Sequence, residues 1–131
     1  MTSNNQNIVN NSRDIESDVE WLKNLIDIRL NNYFSINGES KFPDPPNLVK
    51  GQSNYAEWVI HNRLTVFDRV LIICSLANIY CPEIFDKFLI NNKGLSKRFT
   101  EFGGRHDIQN SRFIPTLETV SFILFGKKIN P

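Results

Sequence analysis

The fold class is decided by Arg98-Phe99-Thr100-Glu101-Phe102-Gly103-Gly104, a segment in which the spacing of the apolar residues changes. Residues 99–102 alternate in the manner of a strand, and the two glycines permit the positive φ that a turn needs. A second short extended stretch, residues 111–114, follows a polar tip at residues 105–110. Together they predict a β-hairpin, and residues 97–114 form the predicted wing of the domain.

Outward from this segment the chain has the periodicity of amphipathic helices, with apolar residues every three or four positions. Ser or Thr precedes several of these stretches and favours helix initiation, whereas Asn37-Gly38 and Gly126 favour termination. Between the first two helices, the loop from residue 39 to 53 contains Pro43, Pro45 and Pro46 and is predicted to be extended. The predicted helices are residues 14–34, 54–61, 66–80, 83–90 and 117–125.

The length of 131 residues suits one domain. Residues 1–13 are rich in Asn, Ser and Gln and are predicted to form a disordered tail, because they have little apolar surface to bury. Residues 14–126 form the predicted domain, and residues 127–131 a tail or linker stub. The fold class is therefore mainly α with a small β-hairpin: a winged-helix-like domain with additional N- and C-terminal helices.

The composition indicates a reducing, aqueous compartment. Cys74 and Cys81 are seven residues apart, too far on one helix for a disulfide, and are predicted to be free thiols. The N-terminus has no apolar stretch typical of a signal peptide, and the longest apolar stretch is too short to span a bilayer. A cytoplasmic location with no membrane partner is expected.

Catalytic chemistry has little support in the sequence. His61 and His106 have no Cys or carboxylate at metal-ligand spacing, and no phosphate-loop, dinucleotide or nucleophile-elbow motif is present. Glu101 and Glu118 flank the hairpin, but Glu101 is predicted to pair with a nearby cation such as Arg69 or Arg112. We therefore expect no enzyme activity, no catalytic residue, no metal site and no cofactor.

The charge distribution leaves nucleic acid as an alternative partner. The net charge is +1, but residues 87–112 hold six Lys/Arg against two Asp/Glu. The predicted contact surface consists of the wing cations Lys97, Arg98, Arg105 and Arg112. In winged helices the wing contacts phosphates, while the helix before it reads bases. Here that helix, residues 83–90, lacks the Arg, Asn or Gln set that reads base edges.

The sequence also resembles a known family. Five segments carry the resemblance: Phe67–Ala77, Pro82–Asp86, Phe99–Gly104, Phe113–Thr119 and Phe122–Gly126. They are similar to the variant winged-helix domain found before AAA-type ATPase modules in bacterial proteins, many encoded with contractile injection systems. The resemblance covers residues 55–126, and at the wing tip Arg105-His106 replaces the family's usual Gly-Val. The residues that match the family motif are Arg69, Phe99, Thr100, Glu101, Phe102, Gly103, Gly104, Pro115, Thr116, Glu118 and Thr119.

The resemblance implies an adaptor that acts by protein–protein contact. The family's ATPase machinery lies downstream of this domain and is not present in these residues. The leading expectation is a protein partner, either an AAA-type ATPase module or an injection-system component. The alternative is a DNA-binding winged helix of a regulator, and a third is a structural subunit that acts alone.

Overall fold

The computed structural model describes residues 2–34, 41–92 and 97–126, and only the backbone of residues 2–4, 91–92 and 97–98. This part of the chain is mainly helical. The α-helices are α1 (Thr2–Phe34), α2 (Asn54–His61), α3 (Val66–Tyr80) and α4 (Leu117–Phe125). Two 3-10 helices span Pro82–Leu89 and Thr100–Phe102. The strands are β1 (Asn91–Asn92), β2 (Lys97–Arg98), β3 (Arg105–Asp107) and β4 (Arg112–Ile114).

The N-terminal segment is helical, which corrects the prediction of a disordered tail over residues 1–13. Helix α1 begins at Thr2 rather than near Asp14. Its polar residues have tertiary partners: the Asn10 side chain donates to the Gln52 carbonyl at 3.0 Å, and the Asn11 side chain accepts from the Tyr55 backbone N–H at 2.7 Å. Composition favoured disorder, but contacts with the α2 region anchor this part of α1.

Helix α3 lies against α1, α4 and the Pro82–Leu89 helix. Its start is defined by Thr65, whose hydroxyl accepts from the Asp68 N–H at 3.1 Å while the Asp68 carboxylate accepts from the Thr65 N–H at 3.0 Å. Such a capping box satisfies N–H groups that have no partner within the helix. One face of α3 is buried, but Leu71 and Ile79 on the outer side are exposed.

The wing differs from its predicted form. Phe99–Phe102 is not a strand, because Thr100–Phe102 forms a 3-10 turn that places the Phe102 ring in the core, fully buried. The antiparallel hairpin is instead β3–β4, with His106 opposite Phe113. A second small antiparallel pair, β1–β2, precedes it, with Asn91 opposite Arg98. The predicted helix over residues 83–90 is the 3-10 helix Pro82–Leu89.

The core between the helices and the hairpin is rich in phenylalanine. Phe102 lies 4.9 Å from Phe122 and 5.3 Å from Phe88 between ring centroids, and Phe88 lies 5.1 Å from Phe113. These rings come from the two 3-10 helices, β4 and α4, so the wing is packed into the domain rather than attached to its edge. Each aromatic pair adds about 0.5–1.5 kcal/mol beyond the burial of its area.

The Pro-rich loop is held against the helices, although residues 41–49 have no regular structure. The Trp21 indole N–H donates to the Pro43 carbonyl at 3.1 Å, and Phe42 packs against the core with the Arg29 guanidinium 4.4 Å from its ring centroid. Glu39 and Ser40 of the predicted loop lie outside the described residues, as does the predicted tail 127–131. No helix in the described part of the chain has both the length and the apolar composition needed to cross a membrane.

Candidate functional site

The double glycine of the wing serves packing between the wing and α4. Gly103 and Gly104 have φ values of +65° and +70°. A Cβ on Gly103 would lie 2.6 Å from the Glu118 Cβ, and one on Gly104 would lie 2.2 Å from the Phe113 Cζ. Both positions therefore require glycine for conformation and for space. Backbone conformation and close packing therefore explain why glycine occupies both positions, and a bound phosphate is not needed to explain it.

The threonines of the motif connect the same turn to the start of α4. The Thr116 hydroxyl accepts from the Gly104 N–H at 3.0 Å, and the Thr119 hydroxyl accepts from the Thr116 N–H at 3.0 Å. Thr119 is fully buried. The motif residues from Phe99 to Gly104 and from Pro115 to Thr119 thus form one packed corner, in which the hydrogen bonds are structural.

Glu101 does not pair with either predicted arginine. Its carboxylate accepts a hydrogen bond from the Tyr33 hydroxyl, and burial together with this carboxylate raises the pKa of Tyr33. Arg69 is bound to Asp18, and Arg112 donates to the carbonyl and side-chain oxygens of Asn78 at 3.0 and 2.6 Å. Tyr33 was not indicated as a partner of Glu101 in the sequence, because the position of α1 relative to the wing could not be predicted.

A buried ionic cluster was missed in the sequence. Asp18 on α1 is 0% exposed and accepts from the Arg69 guanidinium at 2.6 and 3.3 Å and from the Tyr55 hydroxyl at 2.5 Å. Arg69 also donates to the Pro46 carbonyl at 3.0 Å, and its guanidinium carbon lies 5.5 Å from the Trp21 ring centroid. Burial, with the Asp18 contact next, raises the pKa of Tyr55. Because Asp18 has no access to solvent, this cluster holds α1, α2, α3 and the Pro-rich loop together rather than acting on a substrate.

Of the four predicted wing cations, the structure describes the side chains of two, and these two differ. The Arg112 guanidinium is bound to Asn78 in α3, whereas Arg105 on β3 is exposed. The backbones of Lys97 and Arg98 form β2, and their side chains lie outside the described part of the structure. Of the four predicted contact residues, only Arg105 is therefore seen with an exposed side chain.

Neither histidine has a catalytic or metal-binding arrangement. His61 at the end of α2 and His106 on β3 are both exposed. Within residues 2–34, 41–92 and 97–126, no group of three or more His, Cys, Asp or Glu side chains is placed to hold a metal ion. Next to His106, the carboxylate of Asp107 accepts from the Asn110 side chain at 2.8 Å, and this hydrogen bond lowers the pKa of Asp107. These contacts stabilise the hairpin tip.

A shallow groove runs along the outer side of α3 and α4 and reaches the base of the β3–β4 hairpin. Its volume is about 250 Å³, and the residues that line it include no charged side chain. Ile79 is 71% exposed and Leu117 is 54% exposed at its edge. The lining residues, which we call the α3–α4 face, are Leu71, Cys74, Ser75, Asn78, Ile79, Pro115, Thr116, Leu117 and Val120.

The two thiols are expected to differ in reactivity towards a disulfide reagent at pH 8. Both cysteines are free, and burial raises the pKa of Cys74 to about 12, so almost none of it is the reactive thiolate. Cys81 is partly exposed. Titration of the native chain with Ellman's reagent should therefore modify Cys81 only, and Cys74 only after unfolding. Two thiols that react equally fast in the native protein would contradict the burial of α3.

Comparisons with protein-family models, with curated proteins and with solved structures found no match to this chain. The resemblance to the domain that precedes AAA-type ATPase modules therefore stays a prediction that rests on the motif residues. Apart from Arg69, which is bound to Asp18, those residues form one structural corner, and the exposed surfaces around it provide the basis for a functional proposal.

Proposed function

We propose that this chain is a non-catalytic adaptor, a winged-helix-like protein–protein interaction domain of, or related to, an AAA-type ATPase. We further propose that it acts in the cytoplasm of a bacterium, in association with a contractile injection system. The partner is the ATPase module or a component of the injection particle. The observation that carries this proposal is the uncharged α3–α4 face, which adjoins the β3–β4 hairpin.

The chemistry of this face suits a protein partner. The cores of protein interfaces are depleted in charged residues and enriched in apolar side chains. The α3–α4 face has this composition, and the contact of Arg112 with Asn78 holds the hairpin beside it. At the hairpin tip the apolar side chain of Ile108 is 80% exposed. A partner with a complementary apolar surface can bury the hairpin and the two helices together.

The first two residues of β3 offer a place where the partner contact differs from that of the wider family. Arg105 and His106 are exposed at the base of the hairpin, opposite Ile114 and Phe113, where the family has Gly-Val. Two polar side chains replace a small residue and an apolar one. These residues therefore select a partner that presents hydrogen-bond acceptors or a carboxylate beside the apolar contact.

Two observations make DNA the less favoured partner. The Arg112 guanidinium donates through Nη2 to two oxygens of Asn78, which holds it against α3 rather than directed outward as a free wing cation. The element before the wing is a 3-10 helix, whose Lys87 ammonium is paired with the Asp27 carboxylate of α1. Recognition of the major groove needs an exposed helix with Arg, Asn or Gln aimed at base edges.

The adaptor role is tested by binding to a purified AAA-type ATPase hexamer that is encoded in the same genome. Leu117→Asp is expected to weaken binding at least about tenfold, because it places a charge in an apolar contact. The matched control is Val49→Asp, since Val49 is 59% exposed and lies in the Pro-rich loop, not on the face. Biolayer interferometry provides the measurement. Equal effects of the two substitutions, or no binding by the unmodified chain, would contradict the proposal.

The same protein preparation separates the remaining alternatives. A fluorescent DNA duplex is titrated at several salt concentrations, and binding through phosphates would give a steep negative slope of affinity against salt. We expect no salt-dependent binding, and such a slope would favour the DNA-binding regulator instead. Calorimetric titration with ATP is expected to give no heat, and a micromolar response would overturn the non-catalytic assignment.

A further inference from the structure

A second groove lies on another part of the surface, where α1 passes the last turn of α3. Its volume is about 750 Å³, within the usual range of ligand-binding clefts. Its floor consists of apolar side chains from both helices, and Tyr80, at one end, is 78% exposed. The residues that line this α1–α3 groove are Asn11, Ser12, Ile15, Glu16, Val19, Glu20, Leu76, Ala77, Tyr80 and Cys81.

The charges at this groove are of one sign. Glu16 and Glu20 are the charged residues among those that line it, and both are exposed. Two cations lie close by on α1: Arg13 precedes Glu16 by three residues, and Lys23 follows Glu20 by one helical turn at 3.5 Å, in an exposed pair that contributes little on its own. Burial raises the pKa of the Cys81 thiol, the negative charge of Glu83 raises it further, and Lys23 lowers it. The carboxyl end of α3, which carries a partial negative charge, also faces this region.

The α1–α3 groove is thus apolar at its floor and electronegative at its rim. Negative carboxylates repel nucleic acid and anionic lipid, so neither fits. Two adjacent helices form a groove into which a third helix packs, and amphipathic helices bind proteins in this way through apolar residues at helical spacing. Exposed tyrosines are frequent among the residues that dominate binding energy. The stretch from Asn11 to Glu20 has a length of about 15 Å at 1.5 Å per residue, which matches a segment of about three helical turns.

We propose that the α1–α3 groove binds a short amphipathic helix of a partner protein, whose apolar side chains fill the floor and whose lysines or arginines pair with Glu16 and Glu20. This surface is separate from the α3–α4 face, so the proposal does not depend on the adaptor function described above. A domain with both surfaces can hold two protein segments at the same time.

The probe is a synthetic 14-residue helical peptide with leucines along one face and lysines elsewhere. One matched peptide has glutamates in place of the lysines, and another has the same composition without an apolar face. Fluorescence anisotropy gives the dissociation constant of each peptide. The leucine–lysine peptide is expected to bind at least about tenfold more tightly than the glutamate peptide or the peptide without an apolar face. The charge-reversed variant Glu16→Lys/Glu20→Lys should prefer the glutamate peptide instead. Its control is Asp44→Lys/Asp86→Lys, which changes the net charge equally at exposed carboxylates outside the groove and should leave the preference unchanged.

Cys81 reports whether a bound peptide occupies this groove, because its thiol is among the lining groups. Saturating peptide is expected to slow alkylation of Cys81 at least about fivefold. No peptide binding, equal binding by both charge variants, or an unchanged alkylation rate would each overturn the proposal. So would a dimer of the peptide-free chain in which Cys81 is already protected, since a second copy would then fill the groove.

Discussion

Replacing Arg69 with methionine is expected to lower the free energy of unfolding by about 3–5 kcal/mol. The substitution leaves the Asp18 carboxylate 0% exposed without its cation. An ionised carboxylate in such a place is unfavourable unless it is paired, because little water reaches it. The Tyr55 hydroxyl remains as a hydrogen-bond donor, but it carries no compensating charge. The substitution also removes the hydrogen bond from Arg69 to the Pro46 carbonyl, so the Pro-rich loop loses one of its contacts with α3.

Urea unfolding followed by tryptophan fluorescence measures this effect. The matched control is Lys87→Met, which removes the cation of the exposed pair with Asp27 and should change the free energy by less than about 1 kcal/mol. The double variant Asp18→Leu/Arg69→Met should recover part of the stability, because it removes the unpaired charge along with its partner. If Arg69→Met and Lys87→Met have equal effects, the Asp18 cluster is hydrated rather than buried.

Much of the helical part of the fold could be predicted, because it depends on short-range periodicity. The predicted helices over residues 54–61, 66–80 and 117–125 agree with α2, α3 and α4. Their boundaries follow from local signals: Thr65 with Asp68 begins α3, and Gly126 at φ +76° ends α4. A mainly helical chain with a small antiparallel hairpin is confirmed.

The rest depended on contacts between distant parts of the chain. Asp18 and Arg69 are 51 positions apart, and nothing in the local pattern indicates that an aspartate within α1 should be fully buried. Phe99–Phe102 has the spacing of a short strand, but burial of Phe102 among four other phenylalanines favours a 3-10 turn. The sequence predicted the wing cations as one surface, and it could not show that Arg112 is bound to Asn78.

The sequence predicted the type of contact that the chain makes, but not the residues that form the two candidate binding surfaces. Protein–protein contact through the hairpin was expected, but the uncharged α3–α4 face depends on how two helices and the hairpin meet. The α1–α3 groove was not expected at all, because the region from Asn11 to Ser12 was predicted to be a disordered tail. Its apolar residues, such as Ile15 and Leu76, have the ordinary spacing of a helix face that is buried in a core.

Gly104→Ala is expected to lower the free energy of unfolding by about 2–5 kcal/mol, the sum of a steric effect and a backbone effect. The added Cβ would lie 2.2 Å from the Phe113 Cζ and 2.8 Å from the Ile114 carbonyl oxygen, so a buried ring or β4 itself must shift. The φ of +70° adds strain that any L-residue has there. Because Gly104 N–H donates to Thr116, a displaced turn also weakens the start of α4.

Gly51→Ala isolates the backbone effect, because Gly51 has φ +81° and nothing lies within 4 Å of its Cβ position. That substitution should lower the free energy of unfolding by only about 1 kcal/mol. A further test places Gly104→Ala in a Phe113→Leu background, where the clashing ring atoms are missing. The alanine should then be less destabilising than in the unmodified chain, although the contact with the Ile114 carbonyl remains. If Gly104→Ala and Gly51→Ala are equally destabilising, steric contact with Phe113 and Ile114 is not the reason that glycine is required at position 104. A ligand-binding role for the motif would then have to be reconsidered.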